Sequence, residues 1–196
     1  EVSTFTQTRT TISMDFDLGV LFKKKVSEEK VATLFVNNVL NSVDTSFTGV
    51  ADLINNDLQF ESPADIGPED QDAFLMIVIT GNLLSINDYF GDDQGDRIKY
   101  IIEEKLAAVY EVTPEEFATA LDGTIKFFEK VNFPSKKTLY AMSKSVFHRY
   151  DLNRFQKTFF VLQKVPDPVF LKHVDEIMGQ FLIDWNKFTH KFRVTD

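Results

Sequence analysis

Apolar residues recur along most of this chain at steps of three and four, the spacing that lines one face of an α-helix. The longest such stripe closes the sequence. Within the segment 167–193, Leu171, Val174, Met178, Phe181, Trp185, Phe188 and Phe192 fall on one face, and Phe170, Ile177 and Leu182 widen it. Asp167 offers an N-cap oxygen and Pro168 a first helical residue whose missing N–H costs nothing. The pattern predicts one helix over 168–193, about 39 Å long at 1.5 Å per residue. So apolar a helix needs a groove, supplied by the rest of the chain or by a partner. The seven residues of the stripe are therefore either a core face or a contact face, and a helical domain over 23–196 is expected to pack around them.

Upstream, capping signals divide the pattern. Ser27 ahead of Glu28 and Glu29 predicts a helix start, with Val31, Leu34, Phe35 and Val39 facing inward. A second helix is expected from about Thr45 to Leu58, carrying Phe47, Val50, Ala51 and Ile54. QFESPADIGPEDQ, with two Pro and one Gly, predicts an irregular linker. Pro68 then opens a helix with Phe74, Ile77, Val78, Gly81 and Leu84; β-branched Ile77-Val78-Ile79 also suits a buried strand, but the flanks favour a helix. Beyond the acidic turn GDDQGD, Ile98, Ile101, Ile102, Leu106 and Val109 mark another helix. Thr113-Pro114-Glu115-Glu116 has the form of a capping box and starts a helix that buries Phe117, Leu121, Ile125, Phe128 and Val131 before Phe133-Pro134 breaks it. Ser135 is expected to cap the next, with Leu139, Met142, Val146 and Tyr150 inward, and Leu152, Phe155, Phe159 and Leu162 form a further short helix. The fold class is all-α: a seven- or eight-helix, bundle-like single domain.

The first residues differ in period. Ile12, Met14, Phe16 and Leu18 share one parity among threonines, so residues 1–22 read as an extended arm or short strand that lies over the body or pairs with a second copy. The likeness of Val26–Thr33 to Val112–Thr119 is explained by two helix starts using the same cap chemistry rather than by duplication.

Composition agrees with a packed helical body: 196 residues, 43% hydrophobic, with 20 Phe for inter-helix packing. Without cysteine there is no disulfide, thiolate metal site or Cys nucleophile, which fits a reducing compartment and a cytoplasmic location. No run of 18 apolar residues and no Asn-x-Ser/Thr sequon occurs, so neither a membrane span nor glycosylation is expected. The chain begins at Glu1 rather than Met, consistent with a missing upstream segment. A net charge of −9 argues against direct nucleic-acid binding, which needs Lys and Arg for phosphates. The distribution says more than the total. Glu61–Asp122 holds fifteen acidic against three basic residues, a local −12, and Gly123–Lys164 holds nine basic against two acidic, a local +7. The simplest expectation is that the two stretches attract each other within one fold; a polar partner or head-to-tail association is the alternative.

Candidate chemistry is sparse. Asp88, Asp92, Asp93 and Asp96, with Glu103 and Glu104 beyond, could wrap calcium or magnesium through the acidic 88–104 region. The spacing around Gly91 and Gly95 breaks the calcium-loop rule, however, and first-turn Asp residues also suit a helix start. His148, His173 and His190 lack companion ligands, and there is no serine elbow or phosphate loop. No catalytic or cofactor-binding residue is expected. The function favoured by the sequence is a non-catalytic helical interaction or structural subunit — an adaptor, inhibitor or immunity-type factor — with a protein partner or self-association. A metal-dependent enzyme or ligand binder at 88–104, and an acidic inhibitor that mimics DNA, are the alternatives.

Overall fold

A computed structural model of the protein describes residues 23–196; the arm expected over 1–22 lies outside them. The described residues form an all-α domain of nine α-helices, two 3-10 turns and two four-residue strands. Strand β1 (Lys24–Ser27) leads directly into α1 (Glu28–Asn55), where the Ser27 hydroxyl accepts the Lys30 N–H and caps the helix. The two helices expected between Ser27 and Leu58 are one. Val39, Val43 and Phe47 carry the same buried stripe through the expected gap, with no Pro to interrupt it. At 28 residues, α1 runs for about 42 Å along the domain.

A 3-10 turn at Pro68–Asp70 leads to α2 (Gln71–Leu83), which occupies the centre. Phe74, Leu75 and every residue from Ile77 to Leu83 are buried. A helix enclosed on all sides must be apolar all round, which explains why its sequence also resembled a buried strand. Helices α1, α5 (Pro114–Asn132) and α6 (Thr138–Arg149) pack against it. The domain is therefore organised around α2 rather than around the C-terminal segment. At Gly81 an added Cβ would run into the Met142 side chain, so the absence of a side chain permits the close approach of α2 and α6. The stretch Pro68–Phe90 is long and apolar enough to pass as a membrane span by composition; 56% of that window is buried inside the fold, as a core helix would be.

Short α3 (Ile86–Phe90) meets α4 (Asp92–Val109) at Gly91, whose φ of 72° suits a residue without Cβ. Helix α4 lies along α1, tied by Arg97 to buried Glu28 at 2.6 Å and by Lys105 to Glu29. The Thr113–Glu116 capping box forms as expected. Ser135 does not cap α6. Its hydroxyl accepts the Lys137 N–H, and the helix begins at Thr138 with Lys137 in the N-cap position.

The single helix expected over 168–193 is replaced by α8 (Pro168–Gly179), α9 (Trp185–Lys191) and β2 (Phe192–Thr195). The break is made by Asn82 of α2. Its amide donates to the Phe181 carbonyl and accepts the Ile183 N–H, so residues 180–184 close on α2 instead of continuing the helix. Asp184 then caps α9 by accepting the Lys187 N–H. Strand β2 pairs in parallel with β1, Lys24 opposite Phe192 and Ser27 opposite Thr195. These two strands, absent from the sequence expectation, bring the ends of the described chain together.

Candidate functional site

The C-terminal stripe is core over most of its length. Leu171, Val174, Met178, Phe181 and Trp185 are buried, whereas Phe188 and Phe192 are half-buried. Trp185 stacks on Phe35 and meets Phe90 and Phe188 edge-on, which fixes α9 against α1 and α3. A groove of about 390 Å³ between Val31, Leu34, Phe188 and Phe192 remains at this seam.

The acidic candidates do not gather into one cluster. Asp96 accepts the Asn87 amide at 2.9 Å and lies 3.5 Å from Lys99; first the Asn87 bond and then the Lys99 charge hold its carboxyl below the ordinary aspartate value. Asp92 and Asp93 sit in the first turn of α4, and Asp88 borders a cleft against α5. Among the described residues no three Asp, Glu or His side chains are placed to share a metal ion. His173 is engaged by Asp57 at 2.7 Å, His148 is pushed below the ordinary histidine value by burial and the neighbouring Lys144 and Lys130, and His190 lies in the last turn of α9.

An exposed apolar surface lies elsewhere, on α7 (Thr158–Gln163). It reads TFFVLQ, yet none of its residues is buried. Phe159 is 67% and Leu162 75% exposed, and Val165 and Val169, further along the chain, are exposed as well. The expected packing of Leu152, Phe155, Phe159 and Leu162 as one buried face is thus half right. The chain forms a 3-10 turn over Leu152–Phe155 and restarts at Thr158, and only Leu152 is buried. Phe155 is partly buried beneath the surface, tilted against Phe60, which in turn packs on Phe170.

The platform beneath α7 is firmly built. Buried Gln156 donates to the Val165 carbonyl at 3.0 Å and accepts the Asp167 N–H, so it joins both ends of the α7 loop from below. Gln156 also bridges Phe60, and Glu61 N–H donates to the Phe155 carbonyl at 2.8 Å. An apolar surface held in place by buried hydrogen bonds is a preformed face. The three- and four-residue spacing of Leu152, Phe155, Phe159 and Leu162 hides this face, because it predicts one continuous short helix. The available signal was four successive apolar residues, which cannot share one helical face, framed by Lys157 and Lys164.

A second surface has the opposite charge. Between α2, the α4–α5 turn and α5, a pocket of about 200 Å³ is walled by Met76, Tyr110, Val112, Phe117 and Ala120 and edged by Asp72 and Glu116. The Tyr110 hydroxyl is buried there without a hydrogen-bond partner, and burial, aided by Asp72, pushes its pKa up to about 12. The acidic and basic stretches make few close ion pairs with each other in the fold. Among the described residues only two ion pairs join Glu61–Asp122 to Gly123–Lys164: Arg154–Asp65 at 2.7 Å, and Lys126–Asp122 within a single helix. Asp65 and Asp70 also face Arg149 and Arg154 across one shallow pocket, and the Thr158 N–H donates to the Glu61 carboxylate, so the two stretches meet at this edge of the fold. No known protein family, curated protein or solved structure matches this chain.

Proposed function

We propose that the protein is a non-catalytic helical interaction subunit and that α7 is its contact face. The observation that carries this reading is a six-residue helix that leaves Phe159 and Leu162 exposed, with Phe160 and Val161 only half-buried, set on a platform tied by Gln156. Contiguous exposed apolar surface is costly to leave in water and marks sites of association. Lys157 and Lys164 at the two ends of α7 supply the polar rim typical of such faces. The reading is tested by placing a photo-crosslinking benzophenone side chain at Leu162 and, as a control, at exposed Tyr100 on α4, in cells of the source. A discrete protein adduct from position 162 and none from position 100 is the expected result. No adduct from 162, or equal capture from both positions, overturns it.

A further inference from the structure

Resting on that reading of α7, we infer that its occupant is a second copy of this chain, received in the acid-edged pocket between α2 and α5. The two surfaces complement each other in shape and charge. Phe159 and Leu162 stand out from the fold, while Met76, Phe117, Val112 and Ala120 line an apolar recess suited to a single large side chain. The projecting face carries Lys157 at its N-cap and Lys164 at its C-cap; the recess carries Asp72 in the first turn of α2 and Glu116 in the first turn of α5. Lys157, Lys164 and Asp72 enter no ion pair among the described residues. The nearest engagement of Lys157 is the amide oxygen of Gln59 at 3.4 Å. Docking would place these charges opposite each other beside a dry apolar centre, the arrangement that favours both encounter and fit.

The surfaces share no residue, so each copy offers one projection and one recess. Such a contact either closes reciprocally as a two-fold dimer or joins copies head to tail into a ring or a filament, according to the rotation between neighbours.

Analytical ultracentrifugation separates the possibilities. The parent protein should reach the mass of two or more chains as concentration rises, and association should weaken with added salt. Phe159→Glu with Leu162→Glu removes the projection, and Asp72→Lys with Val112→Lys blocks the recess; each variant alone should sediment as a single chain. A one-to-one mixture retains one intact projection and one intact recess, and should therefore stop at two chains. A second route avoids the apolar substitutions. Lys157→Glu with Lys164→Glu should weaken association at least about tenfold, and mixing with Asp72→Lys should restore it. A parent protein that remains a single chain at every concentration overturns the inference; if Leu162 still crosslinks to a different protein, α7 stands as a contact face for another partner. Self-association that survives the α7 substitutions would instead show that α7 is not the contact face. Failure of both mixtures to pair would overturn the assigned partnership of α7 with the recess.

Discussion

Asn82 shows how far one side chain can act. Its amide also donates to the Val78 carbonyl, so a buried polar group is fully engaged while it closes the turn between α8 and α9. Asn82→Leu leaves the Ile183 N–H and the Phe181 carbonyl without that partner, and about 1–3 kcal/mol per stranded group should be lost in urea unfolding. Trp185→Ala should cost about 3–5 kcal/mol through lost transfer energy and the cavity left beside Phe35 and Phe90. The titratable groups add a pH dependence. The Arg97 guanidinium holds buried Glu28 below its ordinary value, so the unfolded chain takes up that proton first, and this stability is lost as pH falls below about 4.3. His148 is pushed down mainly by burial, so it too is protonated first in the unfolded chain; its contribution fades as pH falls below about 6.5. Glu103, raised by burial, acts in the opposite sense and partly offsets the acid loss. Melting curves should therefore decline in two stages on acidification. His148→Asn should remove the upper stage and Glu28→Gln the lower; an unchanged upper stage in the His148 variant would assign it to another group.

At the level of elements, the sequence was most legible where the cause was local. The Ser27 and Thr113 caps sit within a few residues of the helices they start, and both form. The end of α8 was hidden because Asn82, which closes its turn, lies 101 residues from Ile183. The only local hints were Gly179 and the N-cap Asp184, overridden in the reading by an unbroken stripe. The position of α2 was obscured for a related reason: a helix apolar on every side has no face for periodicity to reveal. Removing everything after Val165 takes away buried Phe170, Leu171, Val174, Met178, Phe181 and Trp185. Each contributes roughly 1.5–3 kcal/mol, together more than a typical domain's net stability. That truncation should abolish cooperative unfolding. Phe159→Ser with Leu162→Ser should shift stability by no more than about 0.5 kcal/mol per site, because α7 buries neither residue. A large fall in melting temperature for this pair would mean the face is sealed within the fold.

For the whole molecule, composition conveyed the class and the charge map conveyed the polarity, but neither showed which charges would meet. Pairing depends on which helix faces the fold turns outward, and that follows from packing around α2. Asp88, Asp92, Asp93 and Asp96 were legible as a cluster in sequence; α3, Gly91 and α4 divide them between a cleft and a helix start. Melting in the presence of EDTA, calcium or magnesium should accordingly give one temperature. A rise that scales with occupancy would return the acidic region to consideration as a binding site.

The parallel pairing of β1 with β2 has a mechanical consequence. The described chain enters β1 at Lys24 and leaves β2 at Thr195, and the strands run in the same direction. Tension applied at those two points pulls the strands past each other along their length, loading the ladder bonds together in shear instead of peeling them one by one. The strands span only four residue pairs, yet they would act as a latch across the helical body. Stretched between its ends, the protein should first resist and then release abruptly at β1–β2, with the helices unravelling afterwards at lower force.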